Sequence, residues 1–281
     1  MPHNIVNGFC ESGCKVPVKP AKQVEDLQHG GTGVSVDTVA ELAKALGLMP
    51  VYTGPADIYV DPNATDEQVA TGAYFRTFQG ALDVLSYKAI LSTVTVRLAA
   101  GMIETGTWNL TGAQINCDEW LNFMGNDTAE LHGSMTIKGC CGTINFQTMR
   151  WVVPSRTGTG NMEFLCRPGI LVNGGGIYFR MYDCTFRGET ATSTGNIGVT
   201  VESGAKCFSS DCFYYDMAFA AYVNECSIAV FIRNKGNCRL SFEASMAVIN
   251  DYAPCDQKTF TYNNVGASVM SNDVVVNQGN P

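Results

Sequence analysis

Two aspartates are each followed directly by a cysteine, in Asp183-Cys-Thr-Phe186 and Asp211-Cys-Phe-Tyr214. Carboxylates repeated in one local context are where acid–base work on a glycosidic bond would begin, and such cleavage needs two of them roughly 5 to 9.5 Å apart. If the two strings lie on neighbouring parallel strands, about 4.8 Å apart, they would suit a retaining pair. Glu189, Glu202, Asp216, Glu225 and Glu243 are further acids of the region, and Arg180, Arg187 and Arg233 are cations that a lyase would set beside them. The competing role is local, because an Asp at a tight corner accepts hydrogen bonds from backbone N–H groups. No recognisable motif holds two of these acids together, so the turn role is favoured, with Asp183 and Asp211 as the pair to test.

Rings are the second chemical resource. Tyr178, Tyr182, Tyr214, Tyr215 and Tyr222 cluster in one stretch with Phe213 and Phe219. Exposed rings would stack on sugar faces, which makes the five tyrosines carbohydrate-binding candidates, although strand alternation turns about half of any such set inward. His3, His29 and His132 are too scattered for a triad or a multi-histidine metal site, and His132 reads as a surface residue at the edge of a strand. Cys10 and Cys14 have only His3 nearby and no Cys-x-x-Cys pair exists, so neither a metal nor another cofactor is expected. Gly30-Gly-Thr-Gly33 is a poor phosphate cradle, since no strand precedes it and no lysine follows it.

The elements that must position these groups are short strands. Thr93-Val-Thr-Val-Arg-Leu98 alternates with period two, as does Ile177-Tyr-Phe-Arg-Met181, and further apolar runs follow up to about residue 250. Cys117, Cys140, Cys166, Cys184, Cys207 and Cys226 recur about every 22 residues, the length of one three-sided turn of a parallel β solenoid. Free cysteine is a small hydrophobe suited to stacking inside such turns. Asn173-Gly174 is the only Asn-Gly hairpin signal within the strand-rich region, which weighs against an antiparallel sandwich. Ahead of the strands, Phe75, Phe78, Ala81, Leu82 and Leu85 form one helical stripe. A helix placed there would cover the open end of the first turn.

The chain of 281 residues has a net charge of −8 and 46% hydrophobic residues. The acidic balance argues against nucleic acid and against an anionic membrane surface as partners. No apolar run approaches the roughly 20 residues of a membrane span. The N-terminus, Met1-Pro-His-Asn-Ile-Val, lacks a basic and an apolar secretory region, so assembly in a reducing cytoplasm is expected for the 12 cysteines.

Two strings carry a resemblance. Ile58-Tyr-Val-Asp-Pro-Asn63 followed by Phe75-Arg-Thr-Phe-Gln-Gly-Ala-Leu82 resembles the start of bacteriophage tailspike and fibre domains. Leu27-Gln-His-Gly-Gly-Thr-Gly33, ahead of Ala40-Glu-Leu-Ala-Lys-Ala-Leu-Gly-Leu48, resembles a module recurring in phage fibres near attachment regions. The resemblance implies an all-β fold, a right-handed parallel β-helix with a short capping helix. Residues 1–50 would be an extended virion-attachment arm containing Gly30, Gly31, Thr32 and Gly33. Residues 51–250 would form the body, and 251–281 a small C-terminal cap. It further implies a homotrimeric structural appendage of the virion, anchored through its arm to tail or capsid proteins, with adsorption to host surface glycan as an added role. The alternative it carries is a polysaccharide-degrading tailspike, hydrolase or lyase.

Overall fold

The computed structural model describes residues 49–155, 167–189, 196–217 and 219–236, and the backbone course of strands at 240–245, 248–251 and 268–271. The chain divides into two compact units, Met1–Val51 and Tyr52–Pro281, and everything below concerns the second. Nearly all of the expected arm, including Gly30, Gly31, Thr32 and Gly33, lies outside the described residues, as does most of 251–281.

The second unit opens with β1 (Asp57–Val60), α1 (Asp66–Ala70), β2 (Tyr74–Phe75) and α2 (Phe78–Leu85). Next come β3 (Ala89–Ile90), β4 (Val94–Leu98), β5 (Ile103–Thr111), β6 (Gln114–Ile115), β7 (Trp120–Met124) and β8 (Glu130–Lys138). From there a group of three strands recurs. The first two groups are β9 (Gly142–Gln147), β10 (Arg150–Val153) and β11 (Arg167–Asn173), then β12 (Ile177–Tyr182), β13 (Thr185–Gly188) and β14 (Asn196–Glu202). The next two are β15 (Lys206–Ser210), β16 (Phe213–Tyr215) and β17 (Phe219–Asn224), then β18 (Ile228–Ile232), β19 (Lys235–Gly236) and β20 (Leu240–Ser245). β21 (Val248–Asp251) and β22 (Ser268–Ser271) follow.

Every strand from β9 to β18 pairs in parallel with the strand three places later. The outcome is an all-β unit dominated by two ten-stranded parallel sheets. The first sheet is ordered β2-β1-β4-β7-β9-β12-β15-β18-β21-β22. The second is ordered β19-β16-β13-β10-β8-β11-β14-β17-β20, with β5 also paired to β8. Besides β5, the long β8 serves two further neighbours, pairing β10 through Leu131 and His132 and β11 through Met135 to Lys138. Gly133 sits at this junction with φ 153, and a Cβ there would lie 1.8 Å from the Gly106 carbonyl oxygen.

Alternation decides which side chains are buried. Val94, Val96 and Leu98, Leu121 and Phe123, Ile144 and Phe146, and Ile177, Phe179 and Met181 all face inward. Parallel register then stacks like on like, and two ladders of rings start from the single residue Phe78. One runs Phe78–Phe123–Phe146–Phe179, with centroids 5.8, 4.9 and 5.0 Å apart. The other runs Phe78–Trp108–Trp151–Phe186–Tyr214, with centroids 5.8, 5.8, 6.5 and 5.2 Å apart.

The helix α2 begins at Phe78 because Thr77 caps it, its hydroxyl accepting from the Gly80 N–H at 3.1 Å. Phe75 therefore falls in β2 and not in the helical stripe, while Phe78, Ala81, Leu82 and Leu85 are fully buried. The helix also closes the free edge of β5. The Gln79 side-chain amide accepts from Asn109 N–H at 2.8 Å and donates to Asn109 C=O at 3.1 Å, as a neighbouring strand would. Ser86 Oγ accepts from Thr111 N–H at 3.2 Å, and Tyr87 N–H donates to Thr111 C=O at 2.8 Å. The Glu104 carboxylate accepts from Phe78 N–H and Trp108 Nε1–H at 2.8 and 2.9 Å.

The cysteine periodicity holds in part. Cys140, Cys184 and Cys207 are buried, as is Cys212, and burial pushes the Cys140 thiol up to about 11. Cys117 and Cys226 are exposed, however, because they stand in turns: Cys226 has φ 61, directly after Glu225 with φ 52. Cys166 lies outside the described residues.

The helix is expected to be a stability determinant well beyond its length. Phe78→Ala, which removes the first member of both ladders, should lower stability by about 3 to 5 kcal/mol. Gln79→Ala, which leaves the Asn109 edge unpaired, should cost about 1 kcal/mol. Chemical denaturation followed by circular dichroism measures both, and equal costs for the two would contradict the ladder argument.

Candidate functional site

The Asp-Cys strings occupy the same corner in adjacent groups, as expected, since Thr185 pairs with Phe213 and Phe186 with Tyr214. The corner is a column of left-handed residues: Thr148, Asp183, Asp211 and Arg233 have φ 53, 51, 57 and 52. Each of the first three donates its N–H to the residue preceding the next corner, namely Tyr182, Ser210 and Ile232. The residue after each corner points in, so Met149, Cys184, Cys212 and Asn234 form a buried column. Asp tolerates left-handed backbone better than most side chains, which is a physical reason for Asp at both positions.

Asp211 is also engaged electrostatically. Arg233 donates to it through Nε and Nη2 at 2.7 and 2.6 Å, and Ser210 Oγ donates at 2.6 Å. The Arg233 hydrogen bonds pull its pKa down from the usual 3.8 to about 2. A carboxylate held so low cannot serve as the proton donor that glycosidic cleavage requires. Two of the other acids considered have local duties too: Glu189 accepts from Ser155 N–H at 2.9 Å and Glu225 from Ser203 Oγ at 2.8 Å.

The five tyrosines separate. Tyr214 is 1% exposed, stacked on Phe186, with its hydroxyl 3.0 Å from Ser209 Oγ, and burial pushes its pKa well above the ordinary value. It is a core residue and cannot meet a sugar. Tyr222 is half-buried on β17, and Tyr215 is exposed on β16. Only Tyr178 and Tyr182 come together, on the outer face of the first sheet.

That face carries three outward rows fixed by register. Trp120, Thr143, Tyr178, Lys206 and Ile228 form the first. Asn122, Asn145, Arg180, Phe208 and Val230 form the second, and Met124, Gln147, Tyr182, Ser210 and Ile232 the third. At the centre the Arg180 guanidinium lies 4.7 Å from the Trp120 ring, 5.0 Å from Tyr182, 5.7 Å from Tyr178 and 5.8 Å from Phe208. Arg180 also donates to the Tyr182 hydroxyl. Beside it Asn145 Nδ2 donates to Asn122 Oδ1 at 3.2 Å, while its own Oδ1 is buried with no partner among the described residues. Trp120 was missed in sequence, although Trp120-Leu-Asn-Phe-Met124 shows the signal: burying Leu121 and Phe123 must turn Trp120 outward.

Compared with family models, curated proteins and solved structures, the chain has no significant match to any of them. Among the described residues no helix is long and apolar enough to cross a membrane, and no cluster of three or more His, Cys, Asp or Glu could hold a metal ion. The class defined by the geometry is therefore a parallel all-β protein with an aromatic outer wall.

Asp211→Asn keeps the left-handed corner but loses the ion pair. Its carboxylate is nearly half exposed, so the loss should stay under about 1 kcal/mol. Because the folded-state value is depressed, this stability is present above pH of about 4 and fades as pH falls through about 2. Unfolding curves of the two proteins should converge at the acid end, and a difference that grows there would reverse the assignment. Thr148→Asn, relieving a β-branched residue at φ 53, should raise stability by about 0.5 to 1 kcal/mol.

Proposed function

We propose that this chain is a subunit of a bacteriophage virion appendage, a fibre or spike whose body is a right-handed parallel β-helix and which assembles as a homotrimer. The observation that carries the reading is the three-strand repeat in which each strand pairs with the third one on, begun by a helix that seals the first edge. That architecture agrees with the tailspike-like string at residues 58–82. The Gly30-Gly-Thr-Gly33 segment supplies the arm that would dock on tail or capsid proteins. The protein would thus reside in the virion, assembled in the host cytoplasm.

The outer wall of the first sheet supports self-association. Trp120, Tyr178 and Ile228 are each about two-fifths exposed there, beside Phe208, Val230 and Ile232. Aromatic residues and Arg, continuing into aliphatic ones, are the composition of a buried protein–protein contact. A sugar would gain little from the aliphatic part. A closed threefold arrangement would cover this wall on every subunit and leave no free copy of it. In this reading Tyr178 and Tyr182 belong to the subunit contact.

The polysaccharide-degrading alternative would need two carboxylates presented to one bond. The commitment of Asp211 to Arg233, at a corner shared with Asp183, supports the turn role for both.

The purified protein should run by light scattering as a trimer near three times 30.2 kDa. Ile228→Asp combined with Tyr178→Asp should give a folded monomer. A wild-type monomer stable at micromolar concentration would overturn the assembly. Deleting residues 1–50 should leave a folded trimer that no longer enters particles, as electron microscopy of the virion would show. Unfolding on deletion would refute the modular arm.

A further inference from the structure

The part of the second sheet formed by β8, β10, β13, β16 and β19 presents a chemically different wall. Register sets Arg150 beside Thr185, Thr185 beside Phe213 and Phe213 beside Lys235 in one outward row. A second row runs His132, Val152, Arg187 and Tyr215. Between them lies an open cleft of about 170 Å³, lined by Glu130, Arg150, Val152, Thr185, Arg187 and Tyr215. Trp151, a member of the buried ring ladder, also lines it.

The charges in this cleft do not cancel. Glu130 is its only acid, and the carboxylate is already met by His132 Nε2 at 2.9 Å. Arg187 approaches the same oxygen only to 3.7 Å, too long for a hydrogen bond, and has no other polar contact among the described residues. Its side chain is 53% exposed. Arg150 gives one N–H to the Asp127 carbonyl, and among the described residues the rest of its fork is left for another acceptor. Two guanidinium groups therefore face one carboxylate, on a chain whose net charge is −8. Guanidinium forks are matched to carboxylates, which they bind through paired N–H bonds.

An aromatic shelf adjoins these cations. Phe213 and Tyr215 lie 6.1 Å apart with planes 15° from parallel, and Tyr215 is 37% exposed. Such a shelf takes the apolar face of a pyranose ring. The Thr185 hydroxyl and the free lone pairs of Glu130 are suited to ring hydroxyl groups. A carboxylate beside a flat hydroxylated ring is the chemistry of an acidic sugar.

We infer that this cleft binds an acidic saccharide, with the carboxylate of a uronic or sialic acid residue held between Arg150 and Arg187 and the ring stacked on Tyr215. The site lies on a wall separate from the aromatic one, so assembly through that face leaves it open. This inference rests on the reading of the chain as a host-adsorbing appendage and adds the class of glycan it would meet.

The test is calorimetry on the full-length assembled protein with four oligosaccharide probes. Hyaluronan and polygalacturonate fragments represent uronates, α2,8-linked oligosialic acid represents sialates, and maltoheptaose is the neutral control. At least one acidic probe should bind, more weakly as salt is raised, while maltoheptaose should not. Arg187→Ala should weaken that binding about tenfold or more, and Arg187→Lys should recover part of it. Tyr215→Ala should weaken it without changing the salt dependence, and circular dichroism should show every variant folded. Absence of binding to all acidic probes, equal binding of maltoheptaose, or indifference to Arg187→Ala would each overturn the site. Loss of the trimer in Arg187→Ala would also overturn it, by assigning the cleft to a neighbouring subunit. None of these results bears on particle incorporation, so the site and the appendage reading fail separately.

Discussion

In a stack of parallel strands, every inward side chain rests on its counterpart in the next layer, and the first layer has nothing beneath it. Most of this architecture follows from how that end is closed. Phe78 supplies the bottom ring of both aromatic ladders, and Gln79, the next residue, supplies the missing hydrogen bonds of β5. Apolar and polar closure are thus achieved by adjacent residues of one short helix. An open edge of this length would otherwise template association with another chain.

The second constraint is the corner. Strands that return to the same sheet must turn sharply, and here the turn is made by a single residue with left-handed backbone in four successive layers, Thr148, Asp183, Asp211 and Arg233. Because the turn has a fixed length, the residue after it always points in and the strand restarts in register. That regularity gives each wall a continuous outward surface, and the walls can then differ. One assembles rings and aliphatic side chains around Arg180. Another gathers Arg150, Arg187 and Glu130 beside Tyr215. Rigid stacking below and free choice above explain how one body can offer two unlike surfaces.

Much of the scaffold was legible in the sequence. The stripe Phe78, Ala81, Leu82, Leu85 specified a one-faced helix, the alternation in Val94–Leu98 specified a strand with one buried face, and the repeated Asp-Cys pair marked one corner in two layers. These signals are local, because helix periodicity, strand alternation and tight turns are set by a few consecutive residues. The cysteine period was less faithful. Buried Cys184 and Cys207 sit on strands or just after corners, whereas exposed Cys117 and Cys226 sit in turns, and a thiol suits either place.

What the sequence could not settle was decided by register. Tyr214 and Tyr215 are neighbours in the chain, yet one is a core ring and the other an exposed shelf, because the corner at Asp211 fixes which of them faces in. Glu130, Arg150 and Arg187 are separated by stretches of unrelated chain and meet only because β8, β10 and β13 lie side by side. Trp120 joins Arg180 by the same means, across β7, β9 and β12. The sequence by itself determined the periods, the capping helix and the corners. Only the tertiary structure decided which outward residues share a wall, since strand pairing is non-local and a shift of one residue would have turned every side chain to the opposite face.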